Sequence, residues 1–225
     1  MSTLLLRLSG PMQSWGTQSK FNIRDTGYEP SKSGVIGLIC AALGRPRHEP
    51  VDDLAVLRMG VRIDLQGVLK KDFHTAGKGG YYKISGGTER KNLIVSTRYY
   101  LADAAFLVGL EGDTVLLEQL YYALRDPVWM LYLGRKAFVP GEPVCLRDGF
   151  APDLTLEAAF GAYPWLGLTR FSPDQAPERL RTVIDDPDGE IVRFDLPVSF
   201  AERSFHPRRM RADSVPTPLP IEEEG

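Results

Sequence analysis

Cysteine and histidine are scarce in this chain of 225 residues, which contains two cysteines and three histidines. Cys40 and Cys145 are too few and too far apart for a disulfide framework or a zinc site, and Cys40 lies in an apolar run typical of buried thiols. The histidines, His48, His74 and His206, show no metal-ligand spacing. The sequence therefore predicts no metal and no cofactor, and it fits a reducing cytosol.

Long hydrophobic runs are missing as well. The longest run, from Val35 to Leu43, is far too short to cross a bilayer. Arg7 interrupts the run Leu4 to Leu6 before the core of a signal peptide could form. We therefore expect an unexported cytoplasmic protein without a membrane partner.

Signatures of the common hydrolases are also absent. The chain contains neither a Ser-centred nucleophile elbow nor a phosphate-binding P-loop. The enzymatic alternative that stays open is metal-free RNA cleavage, in which a base activates a ribose 2′-hydroxyl and a cation stabilises the transition state. His74, Lys78 and either Tyr81 or Tyr82 supply the residue types for that reaction, and the same residues suit simple RNA contact.

The net charge of −2 conceals an uneven distribution of charge. Residues 1–100 carry 15 basic and 8 acidic side chains, a balance of +7, whereas residues 101–225 carry 12 and 21, a balance of −9. This asymmetry indicates one basic face that can meet a polyanion and another that stays solvated or meets a protein.

Hydrophobic periodicity predicts the order βαββαβ in the first part of the chain. A long loop rich in Gly, Pro, Ser and Thr follows the first strand, and we expect Ser33 as the N-cap and Gly44 as the end of the first helix. The order is that of an α+β, ferredoxin-like (RRM-like) domain over residues 1–148. The predicted strands cover residues 3–9, 59–69, 98–110 and 143–147, and the predicted helices follow residue 33 and cover 114–125.

Two segments fall outside that core pattern. Residues 70–98 contain seven basic and two acidic residues, with five glycines between Gly77 and Gly87, and they predict a protruding β-hairpin or mobile arm. Residues 149–225 are rich in Pro, Asp and Arg and predict a small β-rich C-terminal part, including a strand at 190–196 and a frayed acidic tail.

Four patches suit contact with single-stranded RNA, because they combine backbone freedom, cations and rings. The helix start also offers free backbone N–H groups that attract anions. For each patch a structural explanation stays open: Trp15 as a plug of the core, Lys32 as a solvated residue beside a helix cap, the hairpin as a flexible charged loop, and the last patch as an ordinary turn. The candidate residues are Gln13, Ser14 and Trp15; Arg24, Ser31, Lys32, Ser33 and Gly34; His74, Lys78, Tyr81 and Tyr82; and Tyr132, Leu133, Gly134, Arg135 and Lys136.

Five blocks between residues 4 and 136 resemble the CasD family, the CasD subunits of type I-E CRISPR Cascade complexes. They are LLLRLSGPMQSWG, Arg24 with PSKSGVIGLI, KDFHT, RYYLADAAFLVGL and YLGRK, in the order of that family. The ordered combination is specific although each block alone is weak. After about Gly149 we find no motif of the family.

This resemblance implies a repeat-associated mysterious protein with a ferredoxin-like domain, a thumb hairpin and a small C-terminal β part. It implies a non-catalytic subunit that holds the 5′ handle of the CRISPR RNA (crRNA), caps the row of Cascade backbone subunits and touches the large subunit that reads the protospacer-adjacent motif. Target DNA would be met only through the complex. Type I-C relatives cut the repeat themselves with a Tyr, Lys and His set, so a metal-independent endoribonuclease is the alternative. A scaffolding subunit that contacts only protein is a third.

Overall fold

Two larger β-sheets and one small two-stranded sheet organise the described residues. The structure is a computed structural model and describes residues 1–16, 23–77, 79–83, 85–89 and 93–219. The helices are α1 (Lys32–Leu43), α2 (Asp52–Ala55), α3 (Thr114–Arg125) and α4 (Leu156–Ala162). The strands are β1 (Ser2–Ser9), β2 (Met12–Gln13), β3 (Ile23–Arg24), β4 (Arg58–Leu65), β5 (Val68–Ala76), β6 (Tyr81–Tyr82), β7 (Thr88–Glu89), β8 (Ile94–Ala102), β9 (Ala105–Gly112), β10 (Cys145–Ala151), β11 (Arg179–Asp185), β12 (Ile191–Ser199) and β13 (Ser204–Pro216).

The main sheet has seven strands in the order β10-β1-β9-β4-β11-β13-β12, and every neighbouring pair is antiparallel. Its first four strands, together with α1 and α3, occur along the chain as β1, α1, β4, β9, α3 and β10. The α+β class is therefore confirmed. Among the described residues, no helix combines the length and the apolar character that crossing a bilayer requires.

Strand β1 is apolar on both of its faces because it separates two layers of the core. Leu4, Leu6 and Leu8 pack in the larger cluster with residues of α1 and α3, while Leu5 joins Phe160 of α4 in a smaller cluster. Side chains of a strand alternate between the faces of its sheet, so a strand covered on both sides reads as a continuous apolar run. The segment TLLLRLS has this composition.

Helix α1 begins two residues earlier than the sequence predicts. Ser31, not Ser33, is its N-cap, since the Ser31 side chain accepts a hydrogen bond from the backbone N–H of Gly34 at 3.2 Å. Both serines fit the sequence preference for a cap, and only the backbone conformation separates them. The predicted end at Gly44 is confirmed, because this residue adopts a left-handed φ of 70°.

The second sheet is built on β8, which pairs with β5 along its length and with β2 and β3 at its other edge. Strands β5 and β8 pair antiparallel in the region where the sequence predicts a protruding hairpin, and we call this pair the thumb hairpin. Two predicted strands were too long, because the chain leaves the main sheet at Gly67 (φ 69°) and returns to it at Asp103 (φ 58°). Residues 59–69 and 98–110 each divide between the two sheets at these turns. Aspartate tolerates left-handed backbone, so the turn at Asp103 carries no Gly or Pro signal.

The C-terminal part extends the main sheet. Strand β11 pairs with β4. The predicted domain boundary after Asp148 lies inside strand β10. Helix α4 was not predicted. The Pro-rich segment that begins the predicted frayed tail is paired, since Pro216 faces Arg179 in the ladder and the carbonyl of Pro218 accepts from the Trp165 backbone N–H at 2.9 Å. The acidic end of the predicted tail, residues 220–225, lies outside the described residues.

Candidate nucleic-acid interface

Gln13, Ser14 and Trp15 form part of the core wall. The side-chain amide of Gln13 donates to the carbonyl oxygens of Ala104 at 2.8 Å and Leu8 at 3.2 Å. The indole N–H of Trp15, which is 1% exposed, donates to Gln13 Oε1 at 3.1 Å. A buried polar side chain needs such partners. The structure therefore favours the plug explanation for Trp15, whose ring is not free for stacking.

Close packing also explains Gly34. A Cβ atom at this position would lie 2.9 Å from a ring carbon of Trp15 and 3.0 Å from Ser31 Oγ. Such distances are shorter than real Cβ contacts, so a larger residue would displace the tryptophan or the cap. The glycine at the start of α1 therefore serves the contact between the helix and the first loop.

Lys32 is buried among carboxylates instead of projecting into solvent. Its ammonium donates to Asp185 Oδ2 at 3.0 Å and to the carbonyl of Leu57 at 2.6 Å. Its backbone N–H, one of the free donors at the start of α1, donates to Asp195 Oδ2 at 2.9 Å. Burial lowers the pKa of Lys32, and Asp185 acts against that shift. The anion bound at this helix start is thus a carboxylate of the chain itself.

Arg208 completes this group of charges, which we call the Lys32 network: Lys32, Asp185, Asp195 and Arg208. Its guanidinium donates to Asp195 Oδ1 at 2.6 Å and Oδ2 at 3.0 Å and also pairs with Asp185. Burial alone would raise the pKa of Asp195, but the hydrogen bonds and charge of Arg208 outweigh it and hold that pKa low. The network joins α1 to strands β11, β12 and β13.

The loop from Tyr132 to Lys136 docks on the first loop through Gly134. This residue has a φ of 86°, and a Cβ atom on it would lie 1.7 Å from the carbonyl oxygen of Ser14. The Ser14 backbone N–H donates to the Leu133 carbonyl at 3.1 Å, and Leu133 is fully buried. Only glycine can occupy this position without moving the backbone. Tyr132 and Arg135 are half-buried, and Gly134 and Lys136 are exposed.

Three arginines meet where this loop crosses the thumb hairpin. Arg24 of β3 and Arg98 of β8 are directly opposite each other in the ladder, so their side chains share one face of the sheet. The Arg135 guanidinium donates to the carbonyl oxygens of Tyr99 at 2.9 Å and Arg24 at 3.3 Å. These three residues are the arginine cluster. Arg98 was not among the predicted site residues, because only the strand pairing places it beside Arg24.

No carboxylate among the described residues forms an ion pair with the arginine cluster. Arg98 donates to the Ser96 hydroxyl at 3.3 Å, a neutral acceptor. Burial lowers the pKa of Arg135, and the charges of Arg98 and Arg24 lower it further, while Asp72 and Asp25 act in the opposite direction. Guanidiniums that repel one another form a site that an anion would stabilise.

The thumb hairpin has two chemically different faces. His74 faces Ser96 in the ladder, two residues along each strand from the pair Asp72 and Arg98, so His74 lies on the face of the arginine cluster. The opposite face carries Phe73, 71% exposed, next to Thr97 and Ile23. Tyr81 is half-buried and Tyr82 is 88% exposed at the tip, whereas Lys78 lies outside the described residues.

Four predicted residues from two distant patches line one pocket against α1, which we call the α1 pocket. Ser33 and Gly34 line it from the helix, and Tyr132 and Gly134 line it from the docked loop. Its other lining residues were not among the predicted site residues, and several of them lie in segments without a motif. These include Trp129 after α3 and three residues at the turn between β12 and β13, namely Phe200, Arg203 and Phe205.

The fold and these surfaces define an α+β protein in which three arginines without an ion pair among the described residues meet beside the thumb hairpin. Residues 3–212 match the model of a protein family described as CRISPR-associated protein (Cas_Cas5), and the chain belongs to this family. The resemblance to Cascade CasD is confirmed. The "CRISPR system Cascade subunit CasD" of Escherichia coli (strain K12) is 32% identical over 164 residues, which cover 68% of this chain and 73% of that subunit.

Two solved structures are similar over nearly the whole chain. One, described as "Crystal structure of Cas protein", is 44% identical with a TM-score of 0.78 and covers 97% of this chain and 98% of its own. A chain of a "CRISPR RNA-guided surveillance complex" is 34% identical with a TM-score of 0.78, and the match covers 96% of this chain and 91% of that chain. The similarity thus continues past residue 149, where the sequence shows no recognisable motif.

Proposed function

We propose that this chain is a non-catalytic, crRNA-binding subunit of a cytoplasmic Cascade-type surveillance complex and that it holds the repeat-derived 5′ handle. The arginine cluster carries the proposal, because its three guanidiniums have no ion-pair partner among the described residues. The names of the relatives indicate that the bound nucleic acid is RNA, because one relative is a Cascade subunit and another belongs to an RNA-guided complex.

The arrangement suits a splayed single strand. Guanidiniums bind phosphates through paired, charge-assisted hydrogen bonds, and the backbone of Gly134 beside them is exposed. Lys136, exposed beside Arg135, adds a second cation to the same loop. Binding of this kind recognises backbone and shape, while pairing of the guide reads the target.

We infer that β1, α1, β4, β9, α3 and β10 form a ferredoxin-like unit. They follow one another as βαββαβ, and their strands lie in the spatial order fourth, first, third, second with antiparallel neighbours. The thumb hairpin is then an insertion between the second and third strands of that unit. Residues 149–219 form a C-terminal part that widens the same sheet by β11, β13 and β12.

We assign the apolar face of the thumb hairpin to a neighbouring backbone subunit. Phe73 is 71% exposed and Ile23 is 60% exposed, and both lie on the face away from the arginine cluster. Exposed apolar side chains that cluster on a monomer indicate a protein contact. A large subunit and, through the complex, target DNA complete the expected partners.

This assignment is tested with Phe73→Asp, which places a charge on the exposed face without disturbing the core. We expect a folded monomer that no longer joins the backbone subunits in a pull-down. Val115→Asp, at an exposed apolar position on α3 (62% exposed), is the matched control and should assemble normally. Normal assembly of Phe73→Asp would remove this face from the interface.

The function itself is tested by incubating the purified chain, in EDTA, with labelled repeat RNA and running matched native and denaturing gels. We expect a retarded, uncut band. A cut band that disappears with His74→Ala would make the chain a metal-independent endoribonuclease. If neither binding nor cutting occurs, even with the backbone subunits present, the chain is a scaffold and the proposal fails.

A further inference from the structure

The α1 pocket is a preformed cavity between α1, the segment after α3 and the turn that joins β12 to β13. Its volume is about 290 Å³, near the lower limit of about 300 Å³ for pockets that hold small organic ligands. Gly37 and Ala41 of α1 form its floor, and aromatic side chains form its walls: Trp129, Tyr132, Phe200 and Phe205.

Hydrogen bonds to the end of α1 hold the first wall in place. The backbone N–H groups of Val128 and Trp129 donate to the carbonyl oxygens of Ala42 and Ala41, each at 3.0 Å. These carbonyls belong to the last turn of the helix, where they lack the N–H donors that a continuing helix would supply. Trp129 is therefore held beside the pocket although it is 47% exposed.

The second wall is held by the Lys32 network. Phe200 and Phe205 flank the turn between β12 and β13 and meet edge to face with ring centroids 6.5 Å apart. Asp195 of β12 and Arg208 of β13 bind each other at 2.6 Å, and Asp195 also accepts from the first N–H of α1. The network thus fixes the distance between the turn and the helix.

The chemistry of the pocket and its rim matches a nucleotide. Arg47 and Arg203 are exposed at the rim and have no ion pair among the described residues, whereas Arg45 is neutralised by Asp53 at 2.6 and 2.8 Å. Aromatic walls take up any base by stacking, and unpaired cations bind the flanking phosphate. The Ser33 hydroxyl offers a polar group at the helix side of the pocket.

We propose that the α1 pocket receives one unstacked nucleobase of the bound RNA, with Arg203 and Arg47 on the adjacent phosphates. The proposal rests on the function proposed above and adds a second, separate contact on the other side of the Gly134 loop. Single-stranded RNA is commonly recognised through bases turned out of the stack onto aromatic side chains.

Gly37→Leu tests the pocket without removing any contact that holds the fold. A Cβ atom at Gly37 would meet only Phe200 Cζ, at 3.8 Å, so a longer side chain would occupy the cavity. Leucine is also a better helix former than glycine. Thermal unfolding should therefore occur at or above the wild-type temperature, which shows that any loss of binding comes from the filled pocket.

The probe is the repeat RNA of the gel assay with 2-aminopurine placed at one position after another. We expect one position whose fluorescence changes on binding to the wild-type chain, and we expect Gly37→Leu to abolish that change and weaken binding about 10-fold. Phe205→Ala, a second variant, should have the same effect. Tyr122→Ala, an exposed aromatic on α3, is the matched control and should behave like the wild type.

The outcomes separate this proposal from the function on which it rests. If the wild type does not bind RNA, the proposed function fails. If the wild type binds and Arg135→Ala weakens binding while Gly37→Leu does not, the function stands and the nucleobase pocket is wrong. A Gly37→Leu chain that binds RNA normally but fails to join the complex would overturn the nucleobase in favour of a protein side chain.

Discussion

The arginine cluster and the Lys32 network are two groups of cations that differ in what neutralises them. Among the described residues, Arg24, Arg98 and Arg135 have no ion-pair partner, and Arg98 and Arg135 donate only to hydroxyl and carbonyl oxygens. Lys32 and Arg208 each bind a carboxylate and are at most 8% exposed. The first group can accept an external anion, while the second already holds its own.

A cation in a motif that suits RNA binding acquires its role from the partners that the fold gives it. Lys32 and Arg24 belong to the same predicted patch, yet the structure places Lys32 in a buried ion pair and Arg24 on an exposed strand. Removing one partner of a buried pair leaves an uncompensated charge, whereas removing an exposed arginine leaves none. Variants in the two groups should therefore change different measurements.

Asp195→Ala should produce the largest effect on stability. It removes one of the two carboxylates that bind Arg208 and the carboxylate at the start of α1, and we expect the free energy of unfolding to fall by about 3–5 kcal/mol. Urea denaturation measures the change. Glu190→Ala, at an exposed position in the turn before β12, is the matched control and should unfold like the wild type. A loss of less than about 1 kcal/mol would show that the network contributes little.

Gly134→Ala should reduce both stability and RNA binding, because its Cβ would collide with the Ser14 carbonyl and displace Arg135. We expect a loss of about 2 kcal/mol in the free energy of unfolding, together with weaker binding in a gel titration. Gly86→Ala separates strain from collision, since Gly86 has a φ of 87° but no atom within 4 Å of its Cβ position. Equal losses in the two variants would contradict the docking of the Gly134 loop.

Glu157 is an intermediate case, paired like the Lys32 network but partly exposed. Hydrogen bonds from Arg58 lower its pKa to about 2, and Arg211 adds to the effect. A carboxylate whose pKa is lower in the folded state stabilises the protein above its unfolded pKa, and this contribution is lost as pH falls from about 4.5 to about 2.

Because the Glu157 side chain is 38% exposed, solvent screening reduces the contribution to about 1 kcal/mol. Urea midpoints at pH 6 and pH 3 should differ less for Glu157→Gln than for the wild type. If the wild type and Glu157→Gln lose the same stability between pH 6 and pH 3, the pair of Glu157 and Arg58 does not contribute to the pH dependence.

Local signals in the sequence predict the order of elements and the thumb hairpin, because apolar periodicity, capping serines and glycine turns act over a few residues. Whether a cation ends in a buried ion pair or on the surface depends on partners that are distant in the sequence. Asp195 and Arg208 meet Lys32 only after three further strands have joined the sheet, and Arg98 meets Arg24 only through a parallel pairing.

The α1 pocket illustrates the same limit. Ser33, Gly34, Tyr132 and Gly134 could be selected from motifs, but Phe200 and Phe205 flank a turn without a motif. Trp15 illustrates the opposite case, a predicted site residue that belongs to the core. A tryptophan in a glycine- and serine-rich loop suits base stacking by composition, but the fold buries this ring.

The most direct test of the account is the salt dependence of RNA binding for Arg24→Ala and Lys32→Met, measured at a temperature where both variants are folded. For single-stranded RNA, each lost phosphate contact reduces the slope of log K against log salt concentration by about 0.7. We expect this reduction for Arg24→Ala and an unchanged slope for Lys32→Met. An unchanged slope for Arg24→Ala, or an equal reduction for Lys32→Met, would contradict the distinction between unpaired and paired cations.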